Sequence, residues 1–207
     1  MQIIDISWPI TPDMTSYKNS KPATFTWNKN FPNDSVRDSS ITFNTHTGTH
    51  VDAPSHFLEH GGMIETIKLE RLVGPCRVID LCHVAEKIMP ADLELHNLLP
   101  NERILLKTTN SSHTPTELFD TTFVYVGQEA AQFLANKKVW CVGIDYLGIE
   151  RNQPHHATHD ILFKGGVVII EGVRLGNVNG ESYDLHCLPL AINGLEAAPA
   201  RAVLIKN

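Results

Sequence analysis

Hydrophobic and polar positions follow different rules in different parts of the chain. Residues 3–7 alternate as a short strand, which runs into Trp8-Pro9 and a Thr11-Pro12-Asp13 turn. Residues 14–34 lose periodicity and mix Lys, Asn, Pro and Thr with Tyr17, Phe25, Trp27 and Phe31, which predicts a long loop or arm. At residue 41 alternation resumes: Ile41 and Phe43 are apolar, Thr42 and Asn44 polar. That pattern predicts an extended segment with odd positions on the core and even positions, down to His56, on a polar face. Gly48 and Pro54 argue against a helix there. Residues 59–62 read as a turn and 65–72 as a short exposed segment.

From residue 77 the pattern becomes one of alternating units. Residues 77–81 read as a buried strand, 90–99 as a helix opened by proline, and 103–107 as a second strand. A polar loop over 110–116 would leave His113 solvated. Residues 128–136 predict a helix, 139–144 a strand ending beside Asp145, and 152–159 a helix start that places His155 and His159 on one face. Lys164-Gly165-Gly166 ends that helix, and 167–170 form a buried strand that meets Glu171. The tail reads as irregular over 183–190, a turn at Asn193-Gly194 and a last strand over 201–205. Strands alternating with helices imply an α/β layer with parallel pairing, preceded by a β-rich amino-terminal third.

Length and charge narrow the field. A chain of 207 residues predicts one domain, 1–207, with a sizeable core. A formal charge of −6 without long runs argues against nucleic acid or anionic membrane as partner. No apolar stretch reaches membrane-spanning length, and the start carries no basic-then-apolar leader. Cys76, Cys82, Cys141 and Cys187 are scattered and read as reduced thiols, so the expected compartment is the cytoplasm.

Histidine is the outlier, with eleven in the chain, seven of them inside 46–60 and 155–159. His46, His50, Asp52 and His56 fall in register on the even face of the extended segment. Imidazoles and a carboxylate in that pattern suit a borderline divalent ion such as zinc, and would also take manganese or cobalt. Glu171, abutting four aliphatic residues, needs a partner or an ion to be buried. Asp145, just past a strand's carboxyl end, is either structural or a support to the site.

The run His46-x-Gly48-Thr49-His50-x-Asp52-x-Pro54-x-His56 resembles the signature of the cyclase family of metal-dependent hydrolases, which includes bacterial kynurenine formamidases and isatin hydrolases. The resemblance extends from Ile3-Asp5-Ile6-Ser7 to Pro199-Ala200-Arg201-Ala202-Val203. It implies a swivelling β/β/α fold with a mixed sheet. It also implies a two-metal site, zinc or manganese, held by His46, His50, Asp52, His159 and Glu171, with His56 as the proton-carrying catalytic residue. His159 and Glu171 enter because they match the family's spacing of twelve residues; nothing in the pattern alone brings them to His46. The family's aromatic-Pro-Gly-Asp run is replaced by Tyr17-Lys18-Asn19-Ser20, and Tyr17 stands where a substrate-contacting aromatic would fall. Gly148 and Glu150 replace the usual serine and aspartate. His155 and His156 match no family position and read as helix-capping or pocket-wall residues. The implied activity is hydrolysis of a small aryl formamide or related amide, N-formylkynurenine first, by a homo-oligomer, dimer or tetramer. Cleavage of an isatin-like cyclic amide and a metal-dependent lyase or cyclase reaction are the alternatives.

Overall fold

The computed structural model describes residues 1–20, 23–179 and 182–206. In chain order the strands are β1 (Gln2–Asp5), β2 (Ala23–Lys29), β3 (Asp38–Phe43), β4 (His50–Asp52), β5 (Val73–Asp80), β6 (Lys87–Ile88), β7 (Arg103–Lys107), β8 (Tyr125–Val126), β9 (Cys141–Ile144), β10 (Val168–Glu171), β11 (Ser182–Pro189) and β12 (Ala197–Lys206). The α-helices are α1 (Pro90–Glu94), α2 (Gln128–Lys137) and α3 (Ala157–Lys164).

The continuous apolar runs become the parallel heart of the sheet, as two-sided burial requires. β5, β7, β9 and β10 pair in parallel, in that order. β11 joins β5 antiparallel, and β12 joins β11 antiparallel. β4 then closes the ring, pairing antiparallel with β10 on one edge and with the start of β12 on the other, while β1 pairs with the end of β12. The sheet order is β1-β12-β11-β5-β7-β9-β10-β4, closed by β4 on β12 into a mixed barrel. This is the mixed-sheet α/β architecture expected.

Alternate residues of the parallel strands serve two cores. Ile104, Leu106, Val142, Ile144 and Ile169 pack outward under the helices, with Ala130, Leu134 and Leu162 above them. Leu105, Cys141, Val168 and Ile170 turn inward and meet Val51, Leu185, Ala198 and Leu204 inside the barrel.

Several expectations are corrected. Residues 183–190 are not irregular; they form β11, where Tyr183, Leu185 and Cys187 are buried and alternate with more exposed neighbours. The arm over 14–34 is half of a hairpin: β2 pairs antiparallel with β3, while residues 21 and 22 lie outside the described residues. Its alternation does not mark a core face, because Ile41 is 57% exposed and every residue of β3 before Phe43 is exposed. The helix expected to 99 stops at Glu94, since Leu95 and Leu99 face water and Asn97 turns left-handed. His113 is not merely solvated: Nδ1 lies 2.9 Å from Glu117 and Nε2 3.3 Å from Asp120. Leu72, expected on the surface, is fully buried.

Candidate metal centre

The extended reading of 41–56 holds for the end of β3, as far as Phe43, and for the three residues of β4. His46 comes from the turn before it and His56 from a 3-10 turn, Pro54–His56, after it. Within β4 the period of two operates: Val51 points into the barrel, while His50 and Asp52 point to the helix side. Glu171 is the cross-strand partner of His50, so it shares that face, and Ile169 sits opposite Asp52. α3 lies on the same face and delivers His159.

The turn preceding β4 is pinned from below. Thr49 Oγ1 donates to the Gly172 carbonyl at 2.6 Å and accepts from the Trp8 amide at 2.7 Å. Gly48 and Gly172 both have positive φ, +64° and +72°, and they touch: a Cβ on Gly172 would stand 2.5 Å from the Gly48 carbonyl oxygen. The Gly48 carbonyl in turn bonds His50 Nδ1 at 2.9 Å.

Four segments thus converge. His46 Nδ1 lies 3.0 Å and His50 Nε2 3.4 Å from Asp52 Oδ1. His159 Nε2 lies 3.7 Å from Asp52 Oδ2 and 3.4 Å from Glu171 Oε1, and His50 Nε2 lies 3.4 Å from Glu171 Oε2. Two triads, His46/His50/Asp52 and Asp52/His159/Glu171, each bring three ligand atoms within 4.8 Å of one another, and Asp52 belongs to both.

These atoms suit divalent ions on grounds independent of any likeness. Both Asp52 oxygens, His50 Nε2 and His159 Nε2 are buried without an aligned hydrogen bond. Leaving so many buried polar atoms unsatisfied costs about 1–3 kcal/mol each unless something binds them. The outer nitrogens have supports of the kind ligating imidazoles need: His50 has the Gly48 carbonyl, His46 has Glu196 at 3.3 Å, and His159 has Glu150 at 3.1 Å. Burial disfavours charge throughout, yet the carboxylates outweigh it and push His50 up to about 10 and His159 upward too. Burial likewise opposes ionisation of Asp52, but the imidazoles hold it well below the carboxylate range; they bring Glu171 to about 2 despite burial and the charge on Asp52.

His56 stands beside this cluster and outside both triads. Its ring centroid is 4.2 Å from that of His46 and 5.9 Å from that of His159. Burial lowers its pKa below that of an ordinary imidazole. A cleft of about 370 Å³ opens over His46, His56, His159 and Glu171, with Tyr17 and Phe57 on its walls. Tyr17 rests edge-on against Phe119 at 5.0 Å, so the loop aromatic is at the site.

Two outcomes concern residues after β9. Asp145 is structural: its carboxylate accepts from the Thr108 amide (2.7 Å) and hydroxyl (2.8 Å) and from the Ser111 amide (3.1 Å) and hydroxyl (2.6 Å). Glu150, whose role the sequence did not reveal, reaches both His156 and His159. The helix carrying His159 also starts later than expected. His155 and His156 have φ of +57° and +51°, so His155 does not share a helix face with His159, whereas His156 does line the cleft wall.

A closed mixed barrel presenting a buried histidine and carboxylate cluster to an aromatic-walled cleft is a candidate metal site built for a small ligand. The Cyclase family model matches residues 4–151, and the chain belongs to that family. It is 34% identical over 204 residues to the kynurenine formamidase of Bacillus thuringiensis subsp. konkukian, covering 97% of this chain and 96% of that one. A protein described as a predicted metal-dependent hydrolase from Bacillus stearothermophilus superimposes with a TM-score of 0.88 at 42% identity, over 98% of this chain and 97% of that one. Isatin hydrolase A from Labrenzia aggregata shares the fold, with a TM-score of 0.83 at 20% identity over 100% of this chain and 94% of that one.

Proposed function

We propose that this chain hydrolyses a small aryl formamide, with N-formylkynurenine as the leading substrate and kynurenine and formate as products. The observation that carries this reading is Asp52, fully buried, without an aligned hydrogen bond at either oxygen and common to two ligand triads. His46, His50 and Asp52 would hold one divalent ion, zinc or manganese, and Asp52, His159 and Glu171 a second. Such ions, when bound, lower the pKa of water from its bulk value toward about 7 and polarise a carbonyl.

The chain's own groups do the rest. An amide nitrogen leaves poorly unless it is protonated, and His56 would carry that proton, a role supported by its position beside the triads but in neither. Tyr17 and Phe57 line the cleft where an aryl ring would lie, and about 370 Å³ suits a one-ring substrate. Exposed Phe25, Trp27 and Ile41 on the hairpin support a homo-oligomer, dimer or tetramer, and four unbridged cysteines support the cytoplasm.

The test is turnover of N-formylkynurenine followed by release of formate, with isatin assayed alongside. Chelation should abolish hydrolysis, and zinc or manganese should restore it. Hydrolysis indifferent to chelation refutes the reading, as does a metal-replete protein inert on the formamide.

A further inference from the structure

We infer that Glu150 is a positioning residue that sets His159 for ion binding and ties it to His156 on the cleft wall; the inference rests on the two-ion reading above. Glu150 is 7% exposed, in the segment between β9 and α3. One carboxylate oxygen accepts from His156 Nδ1. The other accepts from the backbone amide of His159 at 3.4 Å and lies 3.1 Å from His159 Nδ1. Phe57 closes the group from the far side, with its ring 4.4 Å from both imidazoles.

The local backbone explains why a carboxylate is needed here. His156 occupies the N-cap of α3 in a left-handed conformation and makes no side-chain cap bond. The free amides of the first turn are instead satisfied from outside, Thr158 by Gln153 and His159 by Glu150. A negative group at a helix amino terminus is also favoured by the dipole. With Nδ1 of His159 turned to Glu150, Nε2 is the nitrogen that faces Asp52 and Glu171.

The chemistry of the two acceptors makes the idea specific. A carboxylate offers both oxygens as acceptors, one to each imidazole N–H, whereas the amide of glutamine offers one acceptor and one donor. Glu150→Gln keeps the shape but removes the charge and offers a single acceptor, for which the Nδ1 protons of His156 and His159 compete. Replacing His156 with phenylalanine removes the second demand, so a lone glutamine oxygen then suffices for His159.

The experiment measures zinc affinity by competition with a chromophoric chelator, on purified full-length chains whose circular dichroism confirms the fold. The parent comes first, because failure to take up zinc would sink the two-ion reading itself. Glu150→Gln and Glu150→Ala are expected to weaken one zinc site by about 10–100-fold. His156→Phe should stay within about threefold of the parent, and Glu150→Gln combined with His156→Phe should regain most of the loss. Parent-like zinc affinity in Glu150→Ala, or a double variant as weak as Glu150→Gln, would overturn the inference while leaving the proposed function standing.

Discussion

Two glycines with nearly the same backbone angle make a controlled test of how the site is held. Gly172 (φ +72°) follows Glu171, and Gly194 (φ +81°) lies in a turn before β12. Replacing either with alanine imposes the left-handed penalty of about 1–2 kcal/mol, offset by about 0.4–1 kcal/mol of lost freedom in the unfolded chain. At Gly194 nothing lies within 4 Å of the new Cβ, so the net cost is about 1 kcal/mol. At Gly172 the new Cβ meets the Gly48 carbonyl oxygen at 2.5 Å and its carbon at 2.9 Å, both backbone, with Leu147 Cδ2 at 3.1 Å. Backbone cannot rotate aside as a side chain can, so an overpacking cost of about 1–3 kcal/mol adds on. The expected totals are about 1 kcal/mol for Gly194→Ala and about 2–4 kcal/mol for Gly172→Ala. In a chain this long each kcal/mol lowers Tm by roughly 2–4 °C, so thermal melts should show drops of about 2–4 °C against about 4–16 °C. Gly172→Ala should also weaken any divalent-ion binding at the candidate site, since the Gly48 turn carries His46 and leads into His50, and Gly172 adjoins Glu171. Equal melting shifts in the two variants would refute the reasoning.

Other outcomes follow from single contacts. His56→Asn should lower kcat on the formamide by about 10²–10⁴-fold while leaving bound metal unchanged by elemental analysis; loss of metal would make His56 a ligand instead. Asp145→Asn puts an NH2 group against amide and hydroxyl donors, and the urea midpoint should fall at constant m by the equivalent of roughly 2–4 kcal/mol. Among the four cysteines only Cys82 is exposed, so a thiol reagent should label one site per native chain and four after denaturation. Partial burial and the bond with Asp80 raise the Cys82 thiol to about 11, so thiolate appears only as pH climbs toward that value. Its labelling rate should therefore still be rising between pH 9 and 11, and a plateau near pH 8 would contradict the contact.

The sequence disclosed the site's members better than their supports. His50 and Asp52 were legible from strand period, and His46 and His56 by extension of it, although turns rather than a strand present the latter two. Glu171 announced itself as a charge beside four aliphatic residues. His159 was reachable only through the family spacing, because no local rule says which helix will lie over which strand. Glu150 was noted only as a departure from the family's aspartate, because its partners are fixed by tertiary contact and a glutamate in a loop carries no periodic signal. The parallel strands read well, since two-sided burial writes itself as apolar runs. β11 was missed although Tyr183, Leu185 and Cys187 alternate with polar neighbours, because Asp184, His186 and Pro189 dilute the pattern. The hairpin erred in the opposite sense: its alternation was real, but every residue of β3 before Phe43 is exposed.

The strand at the centre of the site is three residues long, and both of its edges are taken. β10 and the start of β12 read the same His50-Val51-Asp52 from opposite sides, so its register is specified twice. A slip by one residue would swing His50 and Asp52 into the barrel and Val51 out of it. A molecule in which β4 has mispaired with either neighbour therefore lacks both candidate ligand triads, so a divalent-cation titration would report whether this seam of the barrel has closed in register.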